Sequence, residues 1–176
     1  MQAIPDLEDL LGRARSAGVL GTKERSLIHS ANADGIDEVA AQQFEVGQRV
    51  LAADLVPILE PEIDINAADK AEAEAMLKTS ILDRLDTIGD RKIAIKVTIP
   101  TIDGFYSDLI AHPRIARALS GGYPRDDANA RLARNPRLIA SFSRPLLDGL
   151  TAQQPDKEFD SVLDASIESI YRASIT

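Results

Sequence analysis

The chain has 176 residues, 44% of them hydrophobic and 27% charged, the composition of one globular domain with a substantial core. A formal net charge of −8 repels phosphate backbones and argues against a nucleic-acid partner, and no apolar run reaches the roughly 20 residues of a membrane span. There is no cysteine, so disulfides, thiolate zinc sites and cysteine nucleophiles are excluded and a reducing cytoplasm is the expected location.

The start, Met1-Gln2-Ala3-Ile4-Pro5-Asp6, has neither the basic opening nor the long apolar segment of a signal peptide. A first helix is expected from Pro5-Asp6, with Asp6 as N-cap, to a C-terminal Gly18. A strand follows at about 19–23. The next helix, about 35–53, carries apolar spacing at Val39, Phe44, Val46, Val50 and Leu51. A strand at about 55–60 is stopped by Pro61. The helix at about 68–87 is rich in Ala, Glu, Leu and Lys, all strong helix formers. Lys92 to Ile99 is an apolar, β-branched run that reads as a buried parallel strand. A short helix near 105–111 and a weak strand at about 117–120 come next. A helix near 125–134, a strand at 138–142 and closing helices near 145–150 and 156–174 complete the chain. Nothing resembles a linker, so residues 1–176 are read as one α/β domain.

Strand–helix alternation implies right-handed crossovers and a parallel sheet. Five strands could form an open doubly wound sheet, but no G-x-G-x-x-G or P-loop supports one. Polar residues cluster instead at the expected C-terminal strand ends, the signature of a (β/α) barrel. Such a barrel takes about 250 residues for eight units, so this chain is read as a partial one of about five.

Lys96 lies in the middle of the most apolar strand. Desolvation there would favour the neutral amine, a nucleophile towards carbonyls; the plainer reading is an edge-strand lysine that blocks aggregation. Glu60 and Glu62 stand at i and i+2, on one face of an extended chain, where two carboxylates can split their pKa values and one stays protonated. They are otherwise ordinary acids at a solvated strand end. Lys23 and Arg25 repeat the spacing with positive charge, unless they belong to a surface turn. Ser120-Gly121-Gly122 ends a strand and could free backbone N–H groups for an anion, or be a plain turn. In Ser141-Phe142-Ser143-Arg144-Pro145, Pro145 suits a first helical position and Arg144 could clamp phosphate; the plainer reading is a capping serine beside a surface arginine. Together these place an amine, two acids, a second lysine and a phosphate nest on one face, a set suited to Schiff-base chemistry on a phosphorylated ketone. His29 and His112 are far apart in sequence, and no metal site is expected.

Val56-Pro57-Ile58-Leu59-Glu60-Pro61-Glu62, Leu119-Ser120-Gly121-Gly122-Tyr123 and Ile139-Ala140-Ser141-Phe142-Ser143-Arg144 resemble class I fructose-bisphosphate aldolase in its short bacterial form. Gly21-Thr22-Lys23-Glu24-Arg25-Ser26, Asp69 to Glu74 and Ala152-Gln153-Gln154 support the likeness. The resemblance implies a partial (β/α)8 barrel and reversible, metal-independent cleavage of fructose 1,6-bisphosphate without a cofactor. It implies Lys96 as Schiff-base lysine and Glu60 as main general acid/base, with Glu62 and Lys23 supporting proton transfer. Arg25 would lie near the sugar-phosphate, and Ser120, Gly121, Gly122, Ser143 and Arg144 would hold the ketone-side phosphate. The departures are an N-terminal part supplying three strands, absent here, a shortened segment before Ser120, Pro124 in place of a serine, and Asp54 in place of a helix-ending glycine. Another Schiff-base barrel lyase, or a catalytically impaired fragment acting only with a partner, are the alternative readings. Oligomeric state is left open.

Overall fold

The computed structural model describes residues 4–176; the opening Met1–Ala3, read above for its lack of a leader, lies outside them. Helix α1 (Leu7–Ser16) leads into β1 (Gly21–Ile28), α2 (Ala33–Ala52), β2 (Val56–Ile63), α3 (Lys70–Leu85), β3 (Ile93–Thr98), α4 (Ser107–Ala111), β4 (Ile115–Gly121), α5 (Arg125–Leu132), β5 (Leu138–Ala140) and α6 (Asp156–Ser174). All ladders are parallel, and the strands lie in chain order β1-β2-β3-β4-β5. An unbroken order matters. A doubly wound sheet reverses direction at a switch point, whereas crossovers of one hand in one direction put every helix on the same face. The opposite face is free to line an interior, as in a barrel wall.

Alternation along each strand divides the side chains between the two faces. Ile28, Leu59, Ile63, Ile93, Ile95, Val97, Ala118 and Leu138 turn to the helix side and join one core with Ile36, Phe44 and Leu51 of α2 and Leu77, Ile81 and Leu85 of α3. Several of these are 0–2% exposed, so truncating one would cost roughly 2–5 kcal/mol. The first residues of α2 and α3 are tied together. Asn32 caps α2 by accepting the Gly35 N–H at 2.7 Å, while Asp69, before α3, accepts the Ala31 N–H at 2.9 Å.

Three expectations need correction here. Strand β1 runs past Lys23 to Ile28, so Lys23 and Arg25 lie within it rather than at its end. Pro61 does not stop β2, which continues to Ile63. The β2–β3 ladder pairs Ile58 with Ala94 and Leu59 with Ile95; beyond Pro61 the Thr98 hydroxyl takes over, accepting from the Ile63 N–H at 3.0 Å and donating to its carbonyl at 2.6 Å. Asp6 does not cap α1: its backbone is left-handed (φ 56°) and its side chain makes no capping bond. Gly18 does close that helix in the left-handed region (φ 79°), and Asp54 holds the same conformation after α2 (φ 58°). No described helix is long and apolar enough to cross a membrane.

Candidate active site

The open face of the sheet carries a cleft of about 900 Å³ at the C-terminal ends of the strands. Lys23 and Arg25 of β1, Glu60 and Glu62 of β2, Lys96 of β3, Gly122 after β4, and Ser143 and Arg144 after β5 all line it. Residues spread over more than 120 positions meet because each contributes from one edge of its own strand or from the loop that follows.

Glu60 is the centre. Its side chain is 3% exposed and accepts from Lys96 Nζ at 2.7 Å on Oε1 and from Lys23 Nζ at 2.5 Å on Oε2. Burial raises the Glu60 pKa, but the hydrogen bonds and charges of Lys23 and Lys96 outweigh it and hold the carboxyl below its usual range. Glu62 has a different cation, accepting from Arg25 Nε at 2.6 Å. The two glutamates, expected as a pair on one face, thus meet different cations. Each has its own partners, and the two lysines favour the ionised form of Glu60. Lys96 is 17% exposed, deep in the cleft, whereas Lys23 is 46% exposed.

The anion side is built differently from expectation. Ser120 is fully buried and its hydroxyl donates to the Val97 carbonyl at 3.0 Å, away from the cleft. The cause is one extra residue. Ile115 pairs with Ile93, but Arg117 pairs with Ala94, so Ala116 is bulged and every later side chain of β4 changes face. Gly121, not Ser120, then stands opposite Thr98, on the Lys96 side. A Cβ on Gly121 would lie 3.1 Å from the Ser141 carbonyl oxygen and 3.9 Å from Lys96 Cε, so bare backbone is what fits beside the lysine. Gly122 has φ 110°, and a Cβ there would press on Ile65 and Thr98 at 3.2 Å.

The helix expected near 145–150 is instead a single 3-10 turn, Arg144–Leu147, which offers no extended row of N–H groups. Arg144 is exposed and makes no ion pair among the described residues. An unpaired guanidinium at a cleft rim is a natural anion seat. Arg125, also lining the cleft, was missed. It donates to the Asp148 carbonyl at 3.1 Å and to Ser166 Oγ at 2.7 Å, tying the start of α5 to the Arg144 turn and to α6. Its sequence signal was a cation in a helix's first turn, where acids are the rule. Among the described residues no three His, Asp or Glu side chains converge as metal ligands.

No family model matches the chain. It is 51% identical over 179 aligned positions to a class 1 fructose-bisphosphate aldolase of Synechocystis, 49% identical to one of Porphyromonas gingivalis and 47% identical to one of Clostridium acetobutylicum. The alignments cover 99–100% of this chain and 60–61% of those proteins. In three dimensions it superposes on fructose-bisphosphate aldolase from Plasmodium falciparum, solved in complex with TRAP and a small-molecule inhibitor, with a TM-score of 0.76 and 17% identity. That match covers 95% of this chain and 60% of the other, and fixes the fold as five consecutive units of an aldolase barrel wall. The chain is thus a homologue, over its whole length, of a stretch that makes up about 60% of a class 1 fructose-bisphosphate aldolase.

Proposed function

We propose that this chain carries the Schiff-base chemistry of a fructose-bisphosphate aldolase, cleaving fructose 1,6-bisphosphate reversibly to dihydroxyacetone phosphate and glyceraldehyde 3-phosphate in cytoplasmic glycolysis. The observation behind it is the Lys96–Glu60–Lys23 bridge, an amine and a buried acid in contact at 2.7 Å. Moving one proton from Lys96 to Glu60 along that contact frees the amine and arms the acid together. The amine adds to the C2 carbonyl. Glu60 gives its proton to the carbinolamine hydroxyl, which leaves as water, and the iminium forms. The C3–C4 bond then breaks, its electrons entering the iminium as an enamine while the C4 hydroxyl proton passes to a carboxylate. Protonation of the enamine at C3 and hydrolysis of the imine release the ketone half. Lys23 donates to the other oxygen of Glu60 and steadies it beside the reacting carbon. Arg25 and Glu62 orient the sugar chain, and Gly121, Gly122, Ser143 and Arg144 hold the ketone-side phosphate.

A second reading rests on the sheet's edges. Among the described residues β1 pairs only with β2, and β5 only with β4, so alternate residues of β1 present unpaired backbone N–H and C=O groups at an open edge. A closed barrel needs about three further β/α units. In this reading the chain acts only when such units are supplied, in cis or by a partner. A coupled assay of fructose 1,6-bisphosphate cleavage separates the two. The expected result is little turnover by the 176-residue chain alone and recovery when the missing barrel units of a relative are added as a fragment. Turnover by the monomeric chain alone, with a cooperative thermal transition, removes the second reading; no turnover in either arm removes the first.

A further inference from the structure

Behind the cleft wall, Lys70 and Glu74 form an ion pair on the first turn of α3 that the proposed chemistry does not use. Their side chains are 8% and 2% exposed. A buried pair of this kind seldom improves on apolar residues of equal volume, so stability alone does not account for it. Its hydrogen bonds point elsewhere. Lys70 Nζ donates to the Glu74 carboxylate, to the Ile99 carbonyl at 3.0 Å and to Thr101 Oγ1 at 3.1 Å, using all three hydrogens. Glu74 in turn accepts the Thr101 N–H at 3.1 Å.

Ile99 is the hub. Its carbonyl accepts from Lys70, while its own N–H donates to the Gly121 carbonyl at 3.2 Å. One residue further along that loop, Gly122 packs against Thr98, the last residue of the strand that bears Lys96. Tyr123 comes next. Its ring centroid lies 5.9 Å from Lys70 Nζ and 4.3 Å from the Arg131 guanidinium, both within reach of a cation–π attraction. The pair therefore touches both chains that meet at the glycine loop, although neither of its members lines the cleft.

We infer that Lys70 and Glu74 are positioning residues: through Ile99 and Tyr123 they hold Gly121 and Gly122 in the shape that receives the substrate phosphate. The inference rests on the phosphate seat proposed above, and it predicts a coupling that a purely structural pair would lack. The probe is inorganic phosphate, titrated into the full ¹⁵N-labelled chain while the Gly121 and Gly122 amide signals are followed. Lys70→Met alone would strand a buried carboxylate, so the informative variant is Lys70→Met with Glu74→Gln. It should bind phosphate about tenfold more weakly, within the usual range of coupling between sites, while its melting temperature stays near that of the parent. Equal phosphate affinity in the folded double variant overturns the inference, as does a parent chain whose glycine amides ignore phosphate. If the double variant does not fold, the parent decides through reciprocity: phosphate should slow hydrogen exchange at the Ile99 and Thr101 amides. Unchanged exchange at both, with Gly121 shifting, counts against it. Borohydride trapping of dihydroxyacetone phosphate by the parent, supplemented with the further β/α units of a relative, is run in parallel. Its failure would overturn the aldolase reading and leave the phosphate result standing.

Discussion

Lys96 and Glu60 lie opposite one another on adjacent parallel strands. The β2–β3 ladder pairs Ile58 with Ala94 and Leu59 with Ile95, and one further step in that register sets Glu60 against Lys96, on the face away from the helices. Nζ and Oε1 are then 2.7 Å apart without either side chain leaving its strand. The contact is a consequence of register, so the backbone pre-sets the distance over which the proposed proton moves.

Replacing the acid tests that role. Glu60→Gln should slow imine formation by ~10²–10⁴, the usual worth of proton transfer to a leaving group, with a much smaller effect on substrate affinity. Glu62→Gln should cost less, since Glu62 pairs with the half-exposed Arg25 and not with Lys96. Single-turnover spectroscopy of imine formation reads both. A wild-type rate in Glu60→Gln refutes the role, and the reverse order would exchange the two glutamates.

The β4 bulge makes a second prediction. Ser120→Ala removes one buried hydrogen bond, to Val97, and should cost about 1 kcal/mol of stability while leaving phosphate affinity unchanged. Gly122→Ala forces a side chain onto a backbone with φ 110°, roughly 1–3 kcal/mol of strain, and should weaken phosphate binding severalfold. Thermal melts and calorimetric titration with phosphate measure the two effects. Loss of phosphate affinity in Ser120→Ala would place its hydroxyl in the cleft after all.

Glu24 sets a pH dependence apart from the active site. It lies on the helix side of β1, 7% exposed, with Oε2 unpartnered, and burial pushes its pKa up to about 7 against a weak opposing bond from Thr22. From the ordinary value of 4.5 up to about 7 the folded chain keeps a proton that the unfolded chain has lost, so stability falls as pH rises through that window. Glu60 acts with the opposite sign: its ion pairs stabilise above the ordinary carboxylate range and are lost only in more acid solution. Glu24→Gln should therefore leave stability near pH 4.5 almost unchanged and raise it at pH 8 by on the order of 2–3 kcal/mol. Urea melts at the two pH values measure this. An equal effect at both would mean that Glu24 is not titrating in the folded state.

Much of this architecture was legible in the sequence because local signals agreed with the fold. The α6 boundaries coincide with the pattern at 156–174, and the apolar run around Lys96 is a buried parallel strand. Lys96 could be singled out because charge inside an apolar strand period is rare. What escaped the sequence is tertiary. The real length of β1 was hidden because Lys23 and Arg25 face a cleft while Glu24 is buried on the other side, so charge on both faces mimics a turn. The Ser120 face depends on the bulged Ala116, which shows only as a register shift against β3. Lys70 and Glu74 lie in the helix-forming run at about 68–87, and nothing in their i, i+4 spacing marks them apart from a solvated pair; packing buries them.

The central claim is that Lys96 is the nucleophile, and chemical trapping reaches it most directly. Dihydroxyacetone phosphate and borohydride are added to the chain, supplemented with the missing barrel units if turnover requires them, and the reduced adduct is mapped by mass spectrometry of proteolytic peptides. The account predicts one modified lysine, Lys96, and no adduct in Lys96→Arg, whose guanidinium stays charged and forms no imine. Labelling of Lys23 or Lys92 with Lys96 untouched would contradict it.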